Sequence, residues 1–227
     1  MGDGGINLCR VDGPLVHAEF LNGVKAQLIV FVGRHSSASQ VPSMTVHSLG
    51  NFGTQANLGG RPRSLSIASP ITMRSILVRM SEFQSAVGKT YEATHHGPLL
   101  DIPSAFAELG GSNAAMHDKQ AAAIVADAVV GAVKHPAGNP HAKVAIGIGG
   151  NHYPSKFTKL AIENGYAFSH IVSKYSLADS IDMLDQAVDR SSPRPEIAVI
   201  DWKSINSVTR ENVIRRLEGI GIGYERV

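Results

Sequence analysis

The chain has 227 residues, a formal net charge of +2 and a hydrophobic fraction of 43%, enough apolar material for a sizeable globular core. It contains no run approaching 18 apolar residues, its first residues do not resemble a secretory signal, and its single cysteine excludes an internal disulfide. We therefore expect one domain over residues 1–227, residing in the cytoplasm, and a charge this mild does not favour a general nucleic-acid binder.

The first half is expected to contain apolar strands and one amphipathic helix. A short apolar run ending at Gly33 predicts a buried strand, whereas residues 34–69 are rich in Ser, Gly, Asn and Pro and predict loops with short strands. Apolar residues at three- and four-residue steps predict a helix that ends near Gly88. The predicted elements are a strand at 26–32, a helix at 73–87, and short strands at 91–94 and 105–109.

The second half is expected to alternate between helices and strands. Residues 114–133 are rich in alanine and predict a long helix, with Asp118 as a helix-start residue. The other predicted elements are helices at 156–163, 177–188 and 209–218 and strands at 143–148, 168–172, 197–201 and 223–227. This alternation predicts helices on both faces of a mixed, mostly parallel sheet, with ligands at the loops that follow the strands.

Histidines at strand ends are the main candidates for a functional site, since the chain has ten of them. His95 and His96 precede a Gly-Pro bend that can turn both rings into one cleft, and Glu92 can orient a histidine or receive its proton. His35 comes just after the strand predicted at 26–32, and His47 lies in the neighbouring Thr45-Val46-His47 segment. Several such histidines together favour a functional site over exposed turns.

A second loop carries His152 after two glycines and an asparagine at 149–151. The glycines let the backbone approach a ligand and present N–H groups suited to a carboxylate, a phosphate or the oxyanion of an ester hydrolysis. His170 lies inside a predicted strand and is interpreted as a core histidine whose nitrogens are hydrogen-bonded. Asp201, at the end of a predicted strand, is a weaker candidate for the site.

The residue types favour direct attack by water. The chain has no Gly-x-Ser-x-Gly elbow, and Cys9 lies in a poorly patterned start, so a serine or cysteine nucleophile is unsupported. Histidine then serves as a base or as a metal ligand, and histidine with carboxylate suits zinc. The candidates are His95, His96, His152 and Glu92 for catalysis, His35, His47, Gly149, Gly150, Asn151, Arg61 and Arg63 for substrate binding, and His95, His96 and His152 for the metal.

Several stretches, in this order, resemble the D-aminoacyl-tRNA deacylases of the archaeal and plant type, over about residues 28 to 218. The matching stretches are Gly33-Arg34-His35-Ser36-Ser37, Thr45-Val46-His47, Gly50-Asn51-Phe52-Gly53, Tyr91-Glu92-Ala93-Thr94-His95-His96-Gly97-Pro98, Ile102-Pro103-Ser104, Glu108-Leu109-Gly110, Gly147-Ile148-Gly149-Gly150-Asn151-His152-Tyr153 and Asp201-Trp202-Lys203. The two long histidine motifs are the most specific of these.

The resemblance implies hydrolysis of the ester that joins a D-amino acid to the 3′-terminal ribose of tRNA. It also implies zinc dependence, action as a monomer, and a three-layer α/β/α fold similar to peptidyl-tRNA hydrolases and nucleoside phosphorylases. The family usually has a longer N-terminal region, so residues 1–25 are expected to be divergent or truncated. Asn151 stands for a common glycine and Phe52 for a usual tryptophan.

Two alternatives remain open from the residues. One is a metal-dependent hydrolase or phosphorylase-like enzyme that acts on a small nucleoside or peptide. The other is a non-catalytic RNA-binding module, against which the aromatic content of 6% argues mildly.

Overall fold

The computed structural model describes residues 5–37, 40–135 and 142–227. Its strands are β1 Ile29–Ser36, β2 Ser43–His47, β3 Gly50–Asn51, β4 Ser64–Leu65, β5 Gly88–Tyr91, β6 Ser104–Gly111, β7 Lys143–Ile148, β8 Tyr166–Val172, β9 Ile197–Ile200 and β10 Gly223–Arg226. Its α-helices are α1 Pro70–Ser81, α2 Asn113–Met116, α3 Lys119–Lys134, α4 Ser155–Glu163, α5 Lys174–Leu177, α6 Leu184–Asp189 and α7 Ser207–Gly219. Short 3₁₀ turns occupy Leu15–His17, Glu19–Gly23, Ile181–Met183 and Trp202–Ser204.

Eight strands form two four-stranded sheets, ordered β1-β6-β2-β5 and β10-β9-β7-β8. Within the described residues of these sheets every pairing is parallel except that of β2 with β6. The segment after β5 joins the sheets, because the Ala93 N–H donates to the His152 carbonyl and the Thr94 N–H to the Ile171 carbonyl, both at 2.8 Å. The expected mixed, mostly parallel α/β architecture is confirmed.

The first sheet has a core face and a second face, which we call the site face. Met44 and Val46 of β2 are fully buried in the main core with residues of α1 and α3. Because side chains alternate along a strand, His47 points to the opposite face. In the neighbouring β6, Ala105 and Ala107 belong to the core, so Glu108 also lies on the site face.

The N-terminal segment packs at one end of the site face. Ala18 is buried in a small cluster with Phe31 and Phe106. The Glu19 carboxylate accepts hydrogen bonds from the Gly60 N–H at 3.0 Å and the Leu99 N–H at 3.3 Å. This segment therefore fixes two loops that border the candidate site.

The structure corrects one expectation for residues 26–69 and confirms another. The first strand extends to Ser36, so His35 lies inside β1 and not in a loop after it. The Ser- and Gly-rich stretch contains β2, whose five residues are all buried. This confirms the short strands expected in the stretch, and the polar residues of β2 are buried because they face the site rather than solvent.

The helical predictions also needed corrections. The single helix expected at 177–188 is wrong: α5, a 3₁₀ turn and α6 stand there, and the buried Ser180 hydroxyl bonds the Ser176 carbonyl at 2.7 Å. The helix expected at 114–133 is divided into α2 and α3, and Asp118 caps α3 as predicted. No helix in the described ranges is long and apolar enough to cross a membrane.

Gly97 tests the contact between the site loops. A Cβ atom on Gly97 would lie 2.2 Å from the Gly60 nitrogen and 2.7 Å from the Val16 oxygen, both backbone atoms. We expect Gly97→Ala to lower the free energy of unfolding by about 1–3 kcal/mol, measured by urea denaturation. Gly219→Ala is the control, since nothing lies within 4 Å of its added methyl group and alanine favours a helix. Equal stability of the two variants would contradict this packing.

Candidate functional site

Four histidine rings meet beside the site face of the first sheet. The ring of His95 lies 4.3 Å from those of His47 and His96 and 4.6 Å from that of His152, centroid to centroid. His47 ends β2, His95 and His96 follow β5, and His152 follows β7. The two predicted histidine loops therefore lie side by side, and His47 joins them.

The backbone at His96 explains how two adjacent histidines face one cluster. In an extended chain their side chains would point in opposite directions. His96 instead adopts a φ of +47°, in the left-handed region that a non-glycine residue rarely occupies. The Gly50 N–H donates to the His96 carbonyl at 2.7 Å and holds this conformation.

Two buried glutamates complete the cluster. The Glu92 Oε2 atom lies 2.8 Å from His152 Nε2 and 3.5 Å from His95 Nε2, and the Glu92 side chain is 0% exposed. The Glu108 Oε2 atom lies 3.4 Å from His47 Nε2. Sequence reasoning missed Glu108 as a site residue, although an acidic residue inside an otherwise apolar strand was an available signal.

Backbone carbonyls set the tautomers of three imidazoles. His95 Nδ1 lies 2.8 Å from the Ala93 oxygen, and His96 Nδ1 lies 2.7 Å from the Gly97 oxygen. His47 Nδ1 lies 3.1 Å from the Ser48 oxygen. Because a carbonyl only accepts, each Nδ1 carries a proton, and in the neutral ring Nε2 keeps its lone pair.

Burial and neighbouring charges separate the pKa values of these rings. Burial and the adjacent His47 lower the pKa of His95 well below 6.5 and lower that of His96 to about 4. Burial also opposes the charged form of His47, but hydrogen bonding to Glu108 and the charge of Glu92 outweigh it and raise the pKa of His47. His95 and His96 are therefore neutral at pH 7.

The donor atoms are close enough together to hold a cation. One group of ligand atoms within 4.8 Å of one another comes from His47, His95 and His96, and another from Glu92, His95 and His152. Imidazoles that donate Nδ1–H to a carbonyl and offer Nε2 inward have the arrangement of zinc-ligating histidines. The chemistry of the donor set therefore fits zinc.

Two backbone amides of the predicted glycine loop already have hydrogen-bond partners within the protein. The Gly149 N–H donates to the Val172 carbonyl at 2.9 Å, and the Gly150 N–H donates to the Ser204 hydroxyl at 2.8 Å. This corrects the expectation that both amides face a ligand. The Asn151 side chain accepts a hydrogen bond from the Tyr175 hydroxyl at 3.2 Å, at the protein surface.

The remaining predicted substrate contacts lie outside the cluster. In the first sheet His35 pairs with Gly110 of β6, whereas His47 pairs with Phe106. The two β6 partners are four residues apart, so the backbone of His35 is displaced from that of His47 by about 13 Å along the strand direction. The side chain of His35 lies outside the described part of the structure. Arg63 forms an ion pair with Asp182, whereas Arg61 is exposed.

A groove of about 720 Å³ begins next to the cluster. Tyr153 forms one end of its wall and packs edge-on against the His152 ring at 5.0 Å. The groove continues between the start of β2 and α4, past Ser43 and Ile162. Among the described residues, no member of the imidazole cluster lines this groove, so Tyr153 is the residue that connects it to the site.

The family model and the sequence relatives point to one family, and a solved structure shares the fold. The family model described as D-aminoacyl-tRNA deacylase matches residues 22–225. A protein of Thermococcus kodakarensis named D-aminoacyl-tRNA deacylase is 39% identical over 207 residues, covering 90% of this chain and 75% of its own. A protein of the same name from Pyrococcus furiosus is 41% identical over 204 residues, covering 88% of this chain and 74% of its own. A crystal structure of a conserved protein of unknown function superposes with a TM-score of 0.85 at 32% identity, covering 93% of this chain and 77% of its own.

The lowered histidine pKa values predict a stability that depends on pH. Below pH 6.5 an unfolded chain protonates histidines that the folded protein keeps neutral down to a pKa of about 4, as for His96. The free energy of unfolding of chelator-treated protein should therefore fall by about 1 kcal/mol or more from pH 7 to pH 5. His47 opposes this in part, because its raised pKa adds stability below pH 6.5 that is lost as the pH rises through the folded value.

Urea denaturation at the two pH values measures this effect. The variant His96→Gln should show a smaller difference between pH 7 and pH 5 than the parent protein. The variant His117→Gln, at an exposed position, should keep the full difference. A parent protein that is equally stable at both pH values would show that the cluster is not held neutral.

Proposed function

The chain belongs to the D-aminoacyl-tRNA deacylase family and hydrolyses the ester bond of D-aminoacyl-tRNA, and we propose that this reaction takes place at the Glu92–His152 pair. The products are a free D-amino acid and tRNA. The 2.8 Å hydrogen bond between Glu92 and His152 at the rim of the imidazole cluster carries the proposal. The family match removes the small-substrate hydrolase and the non-catalytic RNA-binding module from consideration.

His152 is the proposed general base. A buried carboxylate accepts, so His152 Nε2 donates its proton to Glu92 and Nδ1 keeps a lone pair. The His152 side chain is 40% exposed, whereas the Glu92 side chain is fully buried. His152 can therefore reach a water molecule while Glu92 fixes its orientation and stabilises the imidazolium that forms.

The reaction balances through this one imidazole. The water oxygen forms a bond to the aminoacyl carbonyl carbon while His152 Nδ1 takes a proton from the water. The tetrahedral intermediate then breaks its bond to the ribose oxygen, which receives the proton back from His152. The amino acid leaves with a carboxyl group and the tRNA leaves with a free hydroxyl.

We propose that zinc is held by the Nε2 atoms of His47, His95 and His96, and His47 would give up its Nε2 proton to Glu108 or to solvent when the metal binds. The sequence led us to expect His95, His96 and His152 as the ligands. The proposed set replaces His152 with His47, which is only 1% exposed. Bound zinc would polarise the ester carbonyl and make a nearby water more acidic. Glu108, at 3.4 Å from His47, would balance the added positive charge.

The substrate is proposed to approach across the exposed rim at His152. The Asn151 N–H is proposed as the loop donor to the oxyanion, and the exposed Arg61 is proposed to contact a phosphate of tRNA. The groove beyond Tyr153 offers room for the end of the tRNA. An L side chain would meet backbone where a D side chain does not. Action as a monomer in the cytoplasm, where tRNA is used, completes the proposal.

The variant Glu92→Gln tests the role of the carboxylate. An amide can hold His152 in place but cannot stabilise its imidazolium, so we expect kcat/KM for D-Tyr-tRNA to fall by about 100-fold or more. Glu211→Gln is the control, because Glu211 is exposed on α7 and does not line the groove. L-Tyr-tRNA should be hydrolysed poorly by the parent protein. Equal hydrolysis of the two substrates, or full activity of Glu92→Gln, would refute the proposal.

Removal of the metal tests the zinc proposal. We expect chelation to abolish hydrolysis of D-Tyr-tRNA and added zinc to restore it. His96→Ala should lower the zinc content of the purified protein and lower kcat by about tenfold or more. It should also lose the rise in Tm that zinc gives the parent. His117→Ala should behave as the parent. A metal-free protein with full activity would overturn the zinc site.

A further inference from the structure

His170 is a buried histidine that the mechanism above does not use. It lies on β8 and is 1% exposed, and burial lowers its pKa to about 4. Its Nε2 atom lies 3.1 Å from the Ser66 carbonyl oxygen and 2.9 Å from the Arg190 carbonyl oxygen. Because both oxygens only accept, Nε2 carries the single proton of a neutral ring, and Nδ1 has a lone pair.

That lone pair faces two hydroxyl groups. His170 Nδ1 lies 3.1 Å from Ser48 Oγ and 3.3 Å from Thr94 Oγ1, and the two hydroxyl oxygens are 2.6 Å apart. Thr94 Oγ1 also accepts from the Ile171 N–H at 3.0 Å. One hydroxyl therefore donates to Nδ1 while the other donates to its neighbour's oxygen, and the directions of both side chains are fixed.

Both hydroxyl residues belong to the segments that carry the site imidazoles. The Ser48 carbonyl accepts from His47 Nδ1, so one residue connects His170 to the ring that contacts Glu108. Thr94 stands between Ala93, whose carbonyl accepts from His95 Nδ1, and His95 itself. The network therefore ends at the carbonyls that determine two site tautomers.

We propose that His170 is a positioning residue for deacylation, acting as an acceptor that holds Ser48 and Thr94 and, through their backbone, the orientations of His47 and His95. The proposal rests on the function proposed above. A core histidine that only fills space and satisfies carbonyls would affect stability alone. A positioning histidine would also affect kcat, because its Nδ1 atom holds the Ser48 and Thr94 hydroxyls.

Two substitutions separate the two sides of the ring. The amide of asparagine reaches about as far as Nδ1, so His170→Asn keeps an acceptor for Ser48 and Thr94. The longer glutamine reaches about as far as Nε2, so His170→Gln keeps a donor for the Ser66 and Arg190 carbonyls. We expect His170→Gln to lower kcat on D-Tyr-tRNA about tenfold with KM unchanged, and His170→Asn to lower it less than about threefold.

A variant that changes only stability provides the comparison for the effects on kcat. Ser180→Ala removes another fully buried hydroxyl, one that bonds Ser176, and should lower Tm without changing kcat. Ser48→Ala should lower kcat as His170→Gln does, and the double variant should lose little more than either alone. If kcat follows Tm across the His170 variants, or if His170→Asn is the more impaired of the two, the positioning role is refuted.

Ring nitrogen NMR gives a readout that does not need turnover. His170→Gln should change the tautomer signals of His47, while His170→Asn should preserve them. Unchanged His47 signals in His170→Gln would overturn the proposal even if catalysis were impaired. An inactive parent protein with the expected NMR changes would instead refute the proposed function and keep the network.

Discussion

The burial of the Glu92 carboxylate constrains the rest of the site. Removing an ionised carboxylate from water costs several kcal/mol unless charge and hydrogen bonds compensate. Here the compensation comes from the His152 Nε2–H group, which lies 2.8 Å from the carboxylate, and from His47, whose charged form Glu92 favours. The three histidine-bearing segments must meet to compensate this group, so the grouping proposed for catalysis also stabilises the fold.

The sequence predicted the histidine loops because the glycines and prolines around them restrict the backbone. It also predicted β7 at its observed bounds, since an apolar run between polar loops has few alternatives. Glu108 was not predicted as a site residue, because its position next to His47 depends on β6 being the neighbour of β2. The hydrogen bonds that occupy Gly149 and Gly150 involve Val172 and Ser204, and such distant partners leave no local pattern.

The site also departs from the common arrangement in open α/β sheets, where ligands settle at the carboxyl ends of parallel strands. Glu92 and His152 follow that rule, since each comes just after a strand. Glu108 does not, because it lies in the middle of β6, which runs antiparallel to β2. Carboxylates from segments of opposite direction thus reach one cluster, Glu92 beside His152 and Glu108 beside His47.

The antiparallel pairing of β2 with β6 has a consequence for how the site can form. Glu108 is paired with Gly33 on one side and Thr45 on the other, so its place is fixed by ladders on both edges. A slip of one residue would turn it into the apolar interior and bring Ala107 to the histidines. A misaligned pairing would therefore carry a buried, uncompensated charge, so the burial of Glu108 itself favours the alignment that completes the histidine cluster.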